Sequence, residues 1–591
     1  MRIASRPCLR AAISIWLMSL LLVAADATLL RATSFRNHHA VLLEALGQGV
    51  EQDPEKAKEQ YEKAAAAGNA EAMANLGYLY DRGQDYQKAK QWYEKAAARG
   101  NATAMNNLAF LYYQGHGVTQ DYQQAREWTR KAAAAGSVVA MNRLGALYYE
   151  GQGSPRDYRK ARWWYQKAAS GGDADAMTNL GYLYYGGHGV PQDYQKAKQW
   201  YEKATAKGNP AAMTSLGYLY YRGQGVPQDY EKAREWYEKA AAAGNAMAMA
   251  NLGYLYDRGQ GVPQDYQKAR QWYEKASAAG NATAMINLGR LYDRGHGVPQ
   301  DFPEARFWYE NAAAAGDAEA MNDVGLLYEH GLGVPQDYST AIQWYEKAAA
   351  AGNASAMTNL AFLYHQGQGV PQDYEKSREC YERAADAGQA DAMNTLGLLY
   401  EKGEGVPQDY TKATQWYKKA AAAGNAGAMN SLGYSYHQGQ GVPQDYLQAK
   451  QWYEKGAAAG NADAMTNLAY LYRKGQGVPQ DYQKAEEWYE KAAAAGTAEA
   501  MTSLGGLYAR GQGVPQDYQK AEEWYEKAAA AGNATAMANL GYLHDQGQGV
   551  PQDPQKAKEW YEKAAAAGNV EAQQRLQALS GAQPSPPAEA H

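Results

Sequence analysis

The sequence has little cysteine, little phenylalanine and no excess of positive charge, and the first and the last of these each argue against a class of protein. There are two cysteines, and only Cys380 remains if Cys8 is removed with an N-terminal leader. A disulfide-stabilised secreted scaffold is therefore excluded. The net charge is −5 over 591 residues, with both signs well mixed, so the composition does not indicate a nucleic-acid-binding protein. Aromatic content is mostly tyrosine, 50 residues against 5 phenylalanines, which suits a thin helical array whose side chains all lie near a surface.

Only one long apolar run occurs, at residues 11–25, and it follows a basic start that includes Arg2 and Arg10. With small residues up to Ala27, this pattern is typical of a secretory signal peptide, and we place cleavage after Ala27. A membrane span needs about 20 residues, so the run is short for an anchor, although an uncleaved anchor remains an alternative. We therefore expect an exported protein, periplasmic or secreted if bacterial, or lumenal in the endoplasmic reticulum if eukaryotic.

What the sequence has in abundance is repetition. A methionine in the motif A-M-x-x-L-G recurs every 36 residues, and a fixed period of about 20–50 residues is the signature of a solenoid. A shortened unit begins at Met73. The marker methionines that follow are Met105, Met141, Met177, Met213, Met249, Met285, Met321, Met357, Met393, Met429, Met465, Met501 and Met537.

Each unit carries the signals of two antiparallel helices. In the unit that begins at Asp173, this residue caps helix A, which runs to about Tyr185 and is ended by Gly187. Asp193 then caps helix B, which stops before Gly208. A Gly or Ala four residues after each marker methionine lets helix A approach its partner closely. The sequence thus predicts an all-α solenoid of about 15 antiparallel helix-pair repeats with a 36-residue period.

The domain organisation follows from where the repeats begin and end. Residues 1–27 are the predicted signal peptide, and residues 28–39 form an N-terminal arm without repeat features. Residues 40–579 form the solenoid, with degenerate first and last units acting as caps. Residues 580–591 are rich in proline and alanine, and we expect them to be disordered.

The full motif, A-M-x-N-L-G-Y-L-Y-x-x-G-x-G-V-P-Q-D-Y-x-K-A-x-x-W-Y-x-K-A-A, resembles the Sel-1-like repeat (SLR) of the tetratricopeptide-repeat superfamily over about residues 40–579. The resemblance implies a right-handed superhelix whose A helices line a concave face. It also implies an adaptor or scaffold role, in bacteria often in the envelope or in host interaction. One cysteine-rich branch of the family has been credited with β-lactam binding or hydrolysis, but its paired cysteines are missing here.

No catalytic constellation is present in the sequence. Ser-x-x-Lys, H-E-x-x-H, G-x-S-x-G and the P-loop are all absent, so we expect no enzymatic activity, no cofactor and no metal. His116, His188 and His296 share one loop position in separate units, where decoration of the loop is the simplest interpretation. Cys380 stands where most units have tryptophan and is interpreted as a half-buried substitute. Four N-x-[ST] asparagines are interpreted as helix caps rather than glycosylation sites, namely Asn101, Asn281, Asn353 and Asn533.

The functional clue is where the repeats differ. In tetratricopeptide geometry, the groove-facing positions correspond to Met−2, Met+1, Met+5 and Met+8 of each unit. Met+5 is often aromatic, and Met+8 is tyrosine in four successive units before it becomes mainly charged further along. We hypothesise a binding surface for an extended peptide or a sugar chain; the alternative is that the tyrosines only pack against the neighbouring A helix. The proposed residues are Phe110, Tyr113, Tyr149, Tyr182, Tyr185, Tyr218, Tyr221 and Tyr254.

The sequence therefore predicts an exported, non-enzymatic scaffold that binds protein or peptide partners along its concave helix-A face. A polysaccharide- or peptidoglycan-binding envelope protein is the first alternative, because a glycan would also suit a row of tyrosines. A β-lactam-binding, hydrolase-like member of the family is the less favoured one. We expect no nucleic-acid partner, and no stable membrane span if the signal is cleaved.

Overall fold

Thirty α-helices and no strand make up residues 54–579, the part of the chain that the computed structural model describes. The predicted signal peptide (1–27), arm (28–39) and tail (580–591) lie outside these residues, as does the first helix of the degenerate first unit. The predicted fold class is confirmed, because paired helices follow one another in repeats of about 36 residues throughout. The fold is an all-α solenoid.

The helices are numbered in chain order; even-numbered ones are A helices, which carry the marker methionine where there is one, and odd-numbered ones are B helices. They are α1 (Pro54–Ala66), α2 (Ala70–Arg82), α3 (Tyr86–Ala97), α4 (Ala102–Gln114), α5 (Tyr122–Ala134), α6 (Val138–Glu150), α7 (Tyr158–Ser170), α8 (Ala174–Gly186), α9 (Tyr194–Thr205), α10 (Pro210–Arg222), α11 (Tyr230–Ala242), α12 (Ala246–Arg258), α13 (Tyr266–Ala278), α14 (Ala282–Arg294), α15 (Phe302–Ala314), α16 (Ala318–His330), α17 (Tyr338–Ala350), α18 (Ala354–Gln366), α19 (Tyr374–Asp386), α20 (Ala390–Lys402), α21 (Tyr410–Ala422), α22 (Ala426–Gln438), α23 (Tyr446–Ala458), α24 (Ala462–Lys474), α25 (Tyr482–Ala494), α26 (Ala498–Arg510), α27 (Tyr518–Ala530), α28 (Ala534–Gln546), α29 (Pro554–Ala566) and α30 (Val570–Leu579).

The helix ends follow the capping signals in the sequence. Asp173 accepts a hydrogen bond from the backbone N–H of Ala176 at 2.6 Å, and Gly187 closes α8 with a left-handed φ of +71°. The four asparagines that fit the glycosylation pattern cap A helices in the same way. Gln389 and Thr497 are the exceptions, because neither side chain makes a capping hydrogen bond.

The core repeats one arrangement in each helix pair. In the pair α8 and α9, Leu180 and Leu183 are fully buried, and Tyr201 is 2% exposed. Gly181 lies directly under the ring of Tyr201, since a Cβ atom built on this glycine would come within 2.6 Å of the ring carbon Cδ1. The prediction that a small residue brings helix A close to its partner is therefore confirmed.

Two compact units divide the chain, residues 1–300 and 301–591. Within each unit, every A helix packs against the B helix that follows it, and that B helix packs against the A helix of the next repeat. Each repeat therefore contacts its neighbours in the chain, as in other solenoids. The predicted binding residues all lie on the A helices α4, α6, α8, α10 and α12 of the first unit.

Candidate functional site

The eight predicted residues occupy Met+5 and Met+8 on consecutive A helices of the first unit, and all eight side chains are half-buried. Positions three residues apart lie on one side of a helix, so the rings form a stripe that continues from helix to helix. This surface is called the aromatic face below. Its members are Phe110, Tyr113, Tyr149, Tyr182, Tyr185, Tyr218, Tyr221 and Tyr254.

Four rings of the aromatic face form a continuous row across three A helices. The centroids of Tyr185 and Tyr218 are 6.3 Å apart, those of Tyr218 and Tyr221 are 6.2 Å apart, and those of Tyr221 and Tyr254 are 6.3 Å apart. These distances are typical of favourable aromatic pairs. The Met+8 tyrosine of one repeat thus supports the Met+5 tyrosine of the next.

A second cluster includes a histidine whose role the sequence did not reveal. Tyr149 lies 6.0 Å from Tyr182, and the imidazole of His188 lies 5.7 Å from Tyr149 and 5.8 Å from Tyr182. Burial lowers the pKa of His188, and the nearby positive charge of Arg156 adds to this effect. A neutral imidazole is therefore favoured among these rings.

The shared loop position of the histidines could have signalled this arrangement. His188 also packs against Tyr158, the first residue of the preceding repeat's B helix, at 5.1 Å. His116 and His296 make the same contact with the corresponding tyrosines, Tyr86 and Tyr266, each at 4.7 Å. The histidines are thus inter-repeat packing residues rather than loop decoration alone.

The N-terminal end of the aromatic face has its own ring contacts. Phe110 packs edge-on against His116 at 6.0 Å, and Tyr113 packs against Tyr122 at 5.3 Å. Tyr122 begins α5, and the first tyrosines of later B helices lie beside the Met+8 rings in the same way. These supporting tyrosines were not among the predicted binding residues; they are Tyr122, Tyr158, Tyr194 and Tyr230.

The glutamine of the P-Q-D segment fixes the backbone under the aromatic face. The side-chain amide of Gln228 donates to the carbonyl oxygen of Tyr221 and to the hydroxyl of Tyr230, both at 2.9 Å. Gln192 donates to the carbonyl oxygen of Tyr185 at 2.9 Å. One glutamine therefore satisfies the free carbonyl at the end of an A helix and holds two aromatic residues in register.

The repeats match a single family model along almost the whole described chain. Fifteen consecutive matches to the Sel1 repeat cover residues 42–69, 70–101 and then 36-residue units from 102–137 to 534–569. The chain belongs to the Sel1 repeat family. From residue 70 onward its repeats are the helix pairs described above, and α30 follows the last matched unit.

Solved structures of other Sel1 repeat proteins are similar to this chain. The protein c5321, a protective antigen present in uropathogenic Escherichia coli strains, is 32% identical over 85% of this chain and 99% of its own, with a TM-score of 0.44. A Sel1 repeat protein from Oxalobacter formigenes is 35% identical over 52% of this chain and 90% of its own, also with a TM-score of 0.44. No curated protein matches the chain.

The structure corrects one expectation about the groove-facing positions of this Sel1 repeat solenoid. Met+1 was predicted to face the groove, but in the first unit this position is buried between successive A helices. Asn142 is 2% exposed and accepts a hydrogen bond at 3.0 Å from the side-chain amide of Asn179 in the next repeat. Met+1 is therefore a structural position there: Asn142 bonds across the repeat interface, whereas the hydroxyls of Thr178 and Thr214 donate to carbonyl oxygens of their own helices.

Two glutamates at Met+8 in the second unit, Glu329 and Glu401, bind buried tyrosines. The hydroxyl of Tyr345 donates to Glu329 Oε2 at 2.5 Å, and Tyr417 donates to the carboxylate of Glu401. Three Met+5 rings of this unit are exposed, and none of the three has a Met+8 tyrosine in the preceding repeat. The exposed rings are Phe362, Tyr434 and Tyr542, at 37%, 41% and 40%.

The structure also bears on Cys380, on metal binding and on membrane spans. Cys380 is buried rather than half-buried, and burial raises the pKa of its thiol. Over residues 54–579, no group of three or more His, Cys, Asp or Glu side chains could hold a metal ion. Within the same range, no helix combines the length and apolar character that crossing a bilayer requires.

The aromatic face should also affect how the protein responds to alkaline pH. Burial raises the pKa values of Tyr149, Tyr185 and Tyr221, with a smaller contribution from a neighbouring tyrosine in each case. As the pH rises, these three hydroxyls lose their protons in the unfolded chain before they do so in the folded chain. The contribution of the three tyrosines to the free energy of unfolding is therefore intact below pH ~10 and is lost as the pH rises above it. Near-ultraviolet absorbance should show a class of late-titrating tyrosines that is smaller in the triple variant Tyr149→Phe, Tyr185→Phe and Tyr221→Phe. An unchanged late class would contradict this assignment.

Proposed function

We propose that the chain is an exported scaffold without enzymatic activity, which binds protein or peptide partners along the aromatic face. Sel1 and related tetratricopeptide-like solenoids generally bind protein partners. The observation that carries the proposal is the continuous row Tyr185–Tyr218–Tyr221–Tyr254, in which each ring is half-exposed and supported by the next. Export rests on the leader-like residues 1–27, and the site of action is then the periplasm or the exterior, with envelope or host interaction as the expected setting.

A row of supported tyrosines suits an extended peptide for an energetic reason. Tyrosine offers a large apolar ring together with a hydroxyl, and it is enriched at the energetically dominant positions of protein interfaces. The contacts among Tyr185, Tyr218 and Tyr221 already restrict the side-chain rotamers, so binding costs little further entropy. The repeat-to-repeat spacing presents these rings in a line, which matches a ligand without a folded shape of its own.

The test is affinity capture with a double variant of the aromatic face, Tyr185→Ala with Tyr221→Ala. Residues 28–591 are used as bait against envelope and host-cell lysates, and captured proteins are identified by mass spectrometry. We expect a stoichiometric partner whose affinity for the double variant is at least tenfold lower. This corresponds to a loss of about 1.4 kcal/mol of binding free energy. Circular dichroism should show that helicity is retained.

The matched control is the double variant Tyr184→Ala with Tyr220→Ala. These tyrosines are also half-buried, lie on the same helices α8 and α10, and sit one residue away from those of the test. Their rings instead lie under the lysine side chains of Lys196 and Lys232, each at 5.6 Å. The control should retain the partner. Equal loss in both variants would show that tyrosine supports the fold rather than the partner.

A polysaccharide is the second candidate ligand, because ring faces in a row also stack on sugars. Sedimentation with purified peptidoglycan separates the two candidates. If peptidoglycan retains the chain, and Tyr185→Ala with Tyr221→Ala removes this retention, the partner class is a glycan. If the same face instead captures a protein, the partner belongs to the protein or peptide class.

A further inference from the structure

Among the described B helices, α7 carries the most positive charge, with four cationic residues against the three of α21, which also lacks acidic residues. The charged residues of α7 are Arg159, Lys160, Arg162 and Lys167, and the helix contains no acidic residue. Over residues 54–579, only Lys160 of these four forms an ion pair, with the capping residue Asp157 at 3.3 Å. The helix therefore presents uncompensated positive charge.

The same positions in a later repeat show how unusual this helix is. Arg159, Trp163 and Gln166 of α7 correspond to Glu231, Glu235 and Glu238 of α11, all of them exposed. Positions four and seven residues apart lie on one face of a helix. A face that is acidic in α11 is thus basic and aromatic in α7.

Trp163 lies in the middle of this face and is 46% exposed, one of the few large apolar side chains in that state. Its ring packs edge-on against Trp164 at 4.5 Å, and the ammonium group of Lys167 lies 4.0 Å from its centroid. The indole is therefore held in place while much of its surface remains open to solvent. The exposed ring therefore lies on the same helix as the four cationic residues, with one of them directly over it.

Neighbouring residues extend the positive charge beyond α7. Arg126 and Arg130 belong to α5, the B helix of the preceding repeat, and Arg156 is exposed in the loop before α7. This loop lies on the start of α5, since a Cβ atom on Gly153 would come 3.0 Å from the backbone nitrogen of Gln123. The preceding repeat therefore adds further cations, although α5 also carries the exposed acidic residue Glu127.

We propose that this surface, called the α7 patch and consisting of Arg159, Lys160, Arg162, Trp163 and Lys167, docks the protein on an anionic lipid membrane. Lysine and arginine near an anionic leaflet are attracted to its surface, and tryptophan is enriched at the depth of the lipid headgroups. A fluid bilayer needs no complementary shape, which suits an outward helix face with one protruding ring. The solenoid would then lie at the membrane as a peripheral protein.

Other anionic partners fit the observations less well. Sequence-independent binding of single-stranded nucleic acid uses several stacking aromatics in a row, whereas the α7 patch exposes Trp163 alone among its aromatic residues. A stable protein interface usually buries about 800 Å² on each side with good shape complementarity, and one exposed ring among lysine and arginine side chains provides little of either. Both partners are nevertheless included in the test.

The test measures vesicle binding by the chain of residues 28–591, which includes every residue that the structure describes. Sedimentation with vesicles of phosphatidylcholine alone is compared with sedimentation in the presence of phosphatidylglycerol. We expect binding only to the anionic vesicles, and we expect it to weaken as salt is added, because the Debye length falls.

The key variant replaces the α7 face with the residues that α9 carries at the same positions. Arg159→Gln, Trp163→Gln and Gln166→Glu reproduce Gln195, Gln199 and Glu202 of α9, so a folding defect is not expected. The variant removes the ring and one positive charge and adds one negative charge, so the net charge falls by two; at about fivefold per charge the affinity for anionic vesicles should fall roughly 25-fold or more.

A reciprocal variant provides the control. Glu231→Arg, Glu235→Trp and Glu238→Gln transfer the α7 residues to α11, and this variant should bind anionic vesicles more tightly than the unmodified chain. The proposal is wrong if the unmodified chain does not bind anionic vesicles, or if the α9-like variant binds them equally well. Salt-sensitive retention on DNA or on an acidic polypeptide, without vesicle binding, would assign the patch to that partner instead.

Discussion

Replacing Tyr273 with alanine is expected to lower the free energy of unfolding by about 3–5 kcal/mol, the usual cost of deleting a buried aromatic side chain. Tyr273 is 0% exposed, and its ring lies flat on Gly253, where a Cβ atom would come within 2.5 Å of the ring carbon Cδ1. The ring of Tyr273 fills the space between the two helices, and the missing side chain at Gly253 allows them to approach this closely. Alanine therefore leaves a cavity that neither helix can readily close.

The matched control is Tyr273→Phe. The hydroxyl of Tyr273 is buried and has no hydrogen-bond partner within the described part of the chain. Removing an unpaired buried hydroxyl is expected to be neutral or slightly stabilising. Urea denaturation followed by circular dichroism gives the global effect, and hydrogen exchange should locate the loss in α12, α13 and their neighbours. A loss below about 1 kcal/mol for the alanine variant would contradict the packing described here.

The second large effect is expected from Gly225→Ala, which acts between repeats rather than within one. Gly225 has a φ of +68°, and a Cβ atom there would lie 2.7 Å from Cβ and 2.9 Å from the carbonyl carbon of Tyr194, at the start of the preceding B helix. The backbone of that helix cannot move aside as a flexible side chain would. The variant combines a left-handed penalty of about 1–2 kcal/mol with an overpacking cost of about 1–3 kcal/mol.

Gly208→Ala separates the two contributions. Gly208 has a φ of +82°, but no atom lies within 4 Å of the Cβ position, so only the left-handed penalty applies. The difference between the two variants in urea denaturation therefore measures the contact between repeats. Equal losses for Gly208→Ala and Gly225→Ala would mean that the loop of Gly225 contributes no specific packing against α9.

Features that depend on residues close together in the chain could be predicted from the sequence. Asp173 and Asp193 cap α8 and α9 as expected, because a cap is a contact between a side chain and a backbone N–H three residues away. The tight approach at Gly181 was also predicted, because a position that is small in every repeat indicates a place where a side chain would not fit. The buried rather than half-buried state of Cys380 was not predicted, because exposure depends on neighbouring repeats.

The features of the candidate site were likewise predictable from the sequence only in part. The stripe of Met+5 and Met+8 tyrosines could be read from helical periodicity, and whether it binds a partner stays a prediction. The contact of His188 with Tyr149 and Tyr182, and the burial of Asn142 at Met+1, could not be read in this way. Both depend on which residue of one repeat faces which residue of the next.

By itself, the sequence determined the period, the helix pairs, their caps and the membership of the chain in an α-solenoid family. These properties come from contacts between residues near one another in the chain, and repetition makes each signal visible many times. Only the tertiary structure decided which rings support one another, which polar side chains are buried, and that α7 presents an uncompensated basic face. These depend on contacts more than 30 residues apart, such as Asn179 with Asn142, or on the exposed fraction of a side chain, such as that of Trp163. Residue type and spacing alone do not specify such properties, because they depend on how the helices pack against one another.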